Sequence, residues 1–130
     1  MTKHDVVIPP GSEKTYERFH FAPAVRAGDT LYCSGVIGAD GATVPDDAGE
    51  EFAAAFRALA DVLSAAGASL DDVVELTTFH VDMAANLGAF MTAKDAAIAE
   101  PYPAWTAIGC TELAIPGARV EIKATAVLSS

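Results

Sequence analysis

PYPAWTAIGCTELAIPGARVEIKATA, residues Pro101 to Ala126, decides the reading of this chain. Pro101 and Pro103 fix φ and push their predecessors out of the helical region, so a strand opens at Trp105. Ile115-Pro116-Gly117 reads as a turn. Beyond it Val120, Ile122, Ala124 and Ala126 alternate with Arg119, Glu121, Lys123 and Thr125, the period of a strand with one buried face. The pattern predicts a hairpin that closes the sheet, with the Trp105 strand paired to the Glu121 strand. An aromatic strand opener and a carboxylate would then sit close together.

Upstream, a short strand is expected around Asp5 to Ile8, followed by a loop through Pro9-Pro10-Gly11-Ser12 to Glu17. Ala24 to Ala27 and Leu31 to Ile37 flank Gly28-Asp29, a turn pair that supplies the positive φ of a tight hairpin. Gly35 and Gly38 mark places where backbone can approach a neighbour closely. Asp46 or Asp47 can cap a helix that Glu50 and Glu51 favour at its positive end. Phe52, Phe56, Leu59 and Leu63 form its apolar stripe, and Gly67 stops it after Ala66. Ser69 caps a turn at Leu70 to Asp72, and Val73 to Val81 reads as a central strand. Asn86 opens a second helix, with Leu87, Phe90, Met91, Lys94 and Ile98 along one side and Pro101 beyond it. The order hairpin, helix, strand, helix, hairpin predicts an α+β fold, with both helices on one face of a mixed β-sheet. The other face is either wet or covered by a partner.

The 130 residues fit one domain, 1–130, with a core that needs no staples. Cys33 and Cys110 form no CxxC or Cys/His cluster, and the first residues lack a basic-then-apolar leader, so the expected compartment is the cytoplasm. No apolar run approaches the roughly twenty residues that span a bilayer. Eight basic against eighteen acidic side chains give a formal charge of −10, which repels phosphate backbones and argues against nucleic acid as a partner. An apolar fraction of 52% beside so much charge hints at surface covered by another subunit.

Several segments together resemble the RidA/YjgF family, also labelled L-PSP endoribonuclease-like. They are AVRAGDTLYCSG (Ala24 to Gly35), AAGASLDDVV (Ala65 to Val74), the Thr77 to Asp82 strand, Pro103-Ala104 and Val120-Glu121-Ile122. The resemblance runs over nearly the whole chain from Phe21. It implies a chorismate-mutase-like fold, assembled as a homotrimer whose sheets form a central barrel, with a small-molecule cleft at each subunit interface. It further implies hydrolysis of 2-imino acids to 2-oxo acids and ammonia, without metal or cofactor. In the family an Arg after the Pro-Ala pair holds the substrate carboxylate, a Glu in the last strand positions water, and a Tyr and the Ser-Gly backbone complete the pocket.

Transferred by resemblance, the Glu falls on Glu121 and the Ser-Gly pair on Ser34 and Gly35. The Arg position is Trp105, the Tyr position is Phe21, and Met91 stands where a polar pocket residue is expected. A guanidinium offers a planar fork of donors and an indole offers one N–H and a π face, so a simple 2-imino acid such as 2-iminobutanoate would lose its anchor. The pocket instead suits a flatter, more apolar or aromatic ligand, with a cationic group stacked over Trp105 as one form.

Each of these residues also has a plainer reading. Glu121 would pair with Arg119 or Lys123 on a wet strand face, while Trp105 and Phe21 would be core or interface aromatics. Ser34 lacks a GxSxG elbow and a His partner, which excludes a serine hydrolase. His4, His20 and His80 form no metal pattern; His80 reads as structural, and His20, beside Phe21, as the one able to reach a cleft. Cys110 reads as a small buried residue, and Asp71, Asp72 and Asp82 as caps and turns. Three functions follow: a deaminase-like, hydrolase-like or tautomerase-like enzyme using Glu121, a non-catalytic metabolite-binding or sensing trimer, and RNA cleavage, which the acidic balance opposes.

Overall fold

The computed structural model describes residues 5–129; His4 lies outside them. Six strands form one sheet: β1 (Asp5–Val7), β2 (Ala24–Ala27), β3 (Thr30–Cys33), β4 (Val73–His80), β5 (Ala104–Gly109) and β6 (Val120–Val127). Their spatial order is β1-β2-β3-β6-β4-β5. The helices are α1 (Glu13–Phe19), α2 (Ala48–Ala65) and α3 (Met83–Ala97), and a single 3-10 turn covers Leu70–Asp72. The architecture is α+β with a mixed sheet: β4 and β5 run parallel, and every other pair is antiparallel.

The closing hairpin expected at the C-terminal end is not present. β6 inserts between β3 and β4, and β5 pairs with β4 at the sheet edge, so a whole strand separates Trp105 from Glu121. The reason lies in the connection. Residues 110–119 between β5 and β6 are too many for a tight hairpin turn, which takes about two to five, and long enough to carry the chain past β4. A second departure is α1, which occupies the stretch read as loop. It has no buried residue and hence no apolar stripe to betray it, and its first turn is marked only by Glu13, whose Oε2 accepts the Gly11 amide at 3.1 Å. The third helix adds to the expected pair.

The helices α2 and α3 cover one face. Val120, Ile122, Ala124 and Ala126 of β6 point into a core with Phe52, Phe56, Leu59 and Leu63 of α2 and Phe90 of α3. Asp47 caps α2, its side chain accepting the Glu50 amide at 2.9 Å. Ser69 and Asp72 form a reciprocal capping box around the 3-10 turn. The α3 helix starts at Met83, one turn before Asn86, whose side-chain amide donates to the Asp82 carbonyl at 3.2 Å. The strand β3 ends at Cys33, earlier than the expected Ile37, and pairing resumes only at the bridge between Val36 and Ile122.

Gly38 is held against α2, where a Cβ would lie 2.7 Å from the Ala55 amide nitrogen and overlap the Glu51 carbonyl. That close approach brings the start of α2 to the start of β6. There Glu51, with no exposed surface, receives Arg119 Nη1 at 2.7 Å, the Arg119 amide at 2.7 Å and the Val120 amide at 3.4 Å. Arg119 also donates to the Pro45 and Asp46 carbonyls at 3.2 and 2.7 Å. Removing one partner strands a buried charge, which costs about 3 to 5 kcal/mol. Arg119→Met is therefore expected to lower unfolding stability by about that amount in urea titrations, whereas Lys123→Met on the open face should stay within about 0.5 kcal/mol of the parent.

Candidate functional site

A cleft of about 730 Å³ opens where β3 breaks off, and Phe21, Ser34, Gly35 and Glu121 all line it. The break itself builds the site. Ser34 leaves the ladder by donating its hydroxyl to the Ala22 carbonyl at 2.6 Å, and its amide to the Pro23 carbonyl at 2.9 Å. Val36 then exchanges both backbone hydrogen bonds with Ile122 at 2.9 Å each, so Gly35 lies beside Glu121. A Cβ on Gly35 would lie 2.7 Å from the Glu121 carboxyl carbon. Only glycine lets the carboxyl rest on this backbone.

Glu121 is half-buried, and among the described residues its carboxylate has no hydrogen-bond or ion-pair partner. The plainer reading, a pair with Arg119 or Lys123, fails because Arg119 is committed to Glu51 and, among the described residues, Lys123 forms no ion pair with Glu121. The remaining wall is mostly apolar, with Pro9, Pro23, Val36 and Ile115 joined by Phe19 of α1 and Val62 of α2, and with Thr15 and Asp61 among its polar members. Phe19 and Val62, with Asp61, were not foreseen as lining residues. Their helices announce a core stripe or nothing, and only the tertiary break in β3 turns them toward a cleft. His20 sits at the end of α1 in the left-handed region, with φ of 58°, and is not among the lining residues. Ser34, with its hydroxyl already given to a carbonyl, is no nucleophile.

Trp105 and Met91 stand apart from this cleft within one chain. In register, Trp105 aligns with Leu76 and Ala124, which belong to the core face, whereas Glu121 aligns with Phe79 on the opposite face. The indole N–H donates to Thr78 Oγ1 at 2.9 Å, and the ring lies 6.0 Å from Phe90. Lys94 Nζ sits 4.7 Å from the centroid of the indole ring. Met91 is exposed on α3. Glu121 and Trp105 thus belong to two separate surfaces of the sheet, against the closeness expected from a hairpin.

Behind Trp105 a polar chain continues inward. Thr78 Oγ1 and His80 Nε2 are 2.7 Å apart, both residues are buried, and the His80 ring packs edge-on to Phe90 at 4.8 Å. Its Nδ1 has no hydrogen-bond partner among the described residues. Desolvation lowers the His80 pKa from its ordinary value, and burial raises that of Cys33 to about 11, which leaves its thiol inert. Among the described residues no group of three or more His, Cys, Asp and Glu is placed to hold a metal, and no helix is long and apolar enough to cross a membrane.

A six-stranded mixed sheet covered by helices on one face, with a carboxylate cleft where its third strand breaks, defines an α+β protein of the chorismate-mutase-like type. The family model described as Endoribonuclease L-PSP matches residues 13–128, and the chain belongs to this family, the RidA/YjgF group. It is 38% identical over 129 residues to the RutC family protein YjgH of Escherichia coli, covering 97% of this chain and 96% of that one. A solved structure of protein YJGH superposes with a TM-score of 0.88 over 99% of both chains, at 35% identity. The chain is also 32% identical to a 2-iminobutanoate/2-iminopropanoate deaminase of Dermatophagoides farinae, over 83% of this chain and 85% of that one.

Buried His80 should make stability depend on pH. With its folded pKa below the unfolded value of about 6.5, the neutral ring contributes fully above that value, and stability falls as pH drops through 6.5 toward the folded pKa. Thermal melts at pH 7.5 and pH 5 should show a larger loss for the parent than for His80→Gln; equal losses would assign the acid sensitivity elsewhere.

Proposed function

We propose that this protein is a RidA-superfamily enzyme that acts on an imine, enamine or related metabolite in a cleft between subunits of a homotrimer, with Glu121 handling water or a proton. The carrying observation is the Glu121 carboxylate itself: half-buried, laid on Gly35, facing a largely apolar cleft and without a partner among the described residues. Such a group can take a proton from water as the oxygen attacks the C=N carbon. Passed to the nitrogen, that proton gives a carbinolamine; the carboxylate then takes the hydroxyl proton and delivers it to the amine as the C–N bond breaks, so imine and water become a carbonyl compound and ammonia. A deaminase among the relatives supports this chemistry.

The homotrimer reading draws support from the open sheet face, where Tyr32, Ile108 and Val127 leave apolar surface exposed. Trp105 and Met91 lie on the other side of the sheet, so this reading needs a second copy to present them to the Glu121 cleft around the free edge of β5. Trp105 in place of an arginine fork removes charge-assisted hydrogen bonds of about 1.5 to 3 kcal/mol each. The short 2-iminobutanoate is then a poor substrate, and a flatter, more apolar one is preferred. Unpaired Cys33 and Cys110 are in keeping with a cytoplasmic setting. The alternative is a non-catalytic metabolite-binding or sensing trimer, favoured by two facts: Ser34 is already hydrogen-bonded, and among the described residues no histidine lines the cleft.

Glu121→Gln separates the two. With imines generated in situ and ammonia release followed, the variant should lose about 10²- to 10⁴-fold in turnover while its assembly size by light scattering is unchanged. An equally active glutamine variant rejects the enzyme mechanism.

A further inference from the structure

His80 is only 1% exposed, and it ends a polar chain that runs out to the edge of the sheet. The indole N–H of Trp105 donates to Thr78 Oγ1 at 2.9 Å, and Thr78 Oγ1 lies 2.7 Å from His80 Nε2. An indole can only donate, so the Thr78 oxygen accepts from it and keeps its own proton to give. Counting partners then fixes the tautomer. With the imidazole proton on Nδ1, the Thr78 hydroxyl donates to Nε2, and one buried group, the Nδ1–H, is left unmet among the described residues. With the proton on Nε2, the Thr78 proton and the Nδ1 lone pair are both left unmet. The first arrangement strands fewer buried polar groups and is the one this site favours.

A second proton can enter only at Nε2, which then becomes a donor. The Thr78 oxygen would have to accept from both neighbours and turn its own proton aside, where no further acceptor lies among the described residues. One member of the chain must let go. Thr78 has no exposed surface and His80 almost none, whereas Trp105 is half-buried on the edge strand β5, where its N–H can reach water. No carboxylate stands ready to hold a charged ring instead. From α2, Glu51 is engaged by Arg119 at 2.7 Å, at the start of the β6 strand that pairs His80 with Val120. From α3, Lys94 sets a positive charge 4.7 Å from the Trp105 ring, and its neighbour Asp95 is 70% exposed. Asp82 follows the end of β4, and Cys110 follows the end of β5, giving only its amide to the His80 carbonyl at 2.8 Å. Among the described residues none of these side chains is bonded to the imidazole.

We propose that His80 is the positioning residue for Trp105, acting through the Thr78 hydroxyl: the neutral ring holds the indole turned inward, and protonation releases it at the free edge of the sheet. That Trp105 lines a crevice rests on the proposed function; the hydrogen-bond device itself does not. In such a crevice the inward indole shows a ligand its ring but no donor, whereas the released indole offers its N–H. The surface at this edge therefore differs between neutral and acid conditions.

Trp105 is the chain's one tryptophan, so its fluorescence in the full-length protein reads the device directly. Between pH 7.5 and pH 5 the emission should move to longer wavelength and become easier to quench with acrylamide, with far-UV circular dichroism unchanged. Its midpoint should match the titration of the His80 ring followed by heteronuclear NMR, and at pH 7.5 the same spectra should show the ring proton on Nδ1. In His80→Gln and in Thr78→Val the emission should no longer change across this range. Four results would each overturn the proposal: constant emission in the parent, a transition kept by either folded variant, a neutral ring protonated on Nε2, or an emission change that tracks loss of the far-UV signal. The comparison of emission with ring titration needs only the parent, so it decides the matter even where a variant does not fold. Turnover by Glu121→Gln is read separately and bears on the catalytic reading alone.

Discussion

The buried pair of Glu51 and Arg119 sets the parity of the central strand. Because the Glu51 carboxylate holds the amides of both Arg119 and Val120, β6 can begin in only one register, with Val120 turned into the core. Side chains alternate from there, so Glu121 must point to the opposite face. A slip of one residue would bury Glu121 among the α2 phenylalanines and expose Val120. The pair also anchors the start of α2, since the guanidinium binds the Pro45 and Asp46 carbonyls just ahead of the Asp47 cap. Its charges are withdrawn from water, and this is tolerable because nearly every donor and acceptor around them is used.

Two surfaces with different chemistry follow from that register. On the open face the carboxylate of Glu121 rests on Gly35, beside the cleft left by the break in β3. On the helix-covered face, near the free edge of β5, Trp105 is pinned by Thr78 and overlain by Lys94. One chain cannot bring them together, because β4 and the thickness of the sheet intervene. The exposed Tyr32, Ile108 and Val127 leave apolar surface on the Glu121 face.

Much of this was legible in the residues. The alternation from Val120 to Ala126 marks β6 and its core face, the stripe from Phe52 to Leu63 marks α2, and Gly28-Asp29 marks the first hairpin, all because local periodicity and turn chemistry suffice. Phe21, Ser34, Gly35 and Glu121 were grouped through resemblance, and they share one cleft. The pairing of β5 was not legible. Neighbouring strands in sequence suggest a hairpin, and although the ten residues 110–119 are too many for a tight turn, they do not say which strand the chain crosses. The α1 helix escaped because it buries no residue. The Glu51 partnership escaped because its two members lie 68 positions apart, and a glutamate in a first helical turn reads as a solvated end charge. Lys94 counted as one member of a stripe; only the fold lays it on an indole.

The most direct measurement is a crystal structure of the assembled protein. The account predicts that the Glu121 carboxylate of one copy and the Trp105 ring of a neighbour line a single crevice between the two. A structure in which these groups open onto separate solvent-filled surfaces, with no common hollow between copies, would contradict it.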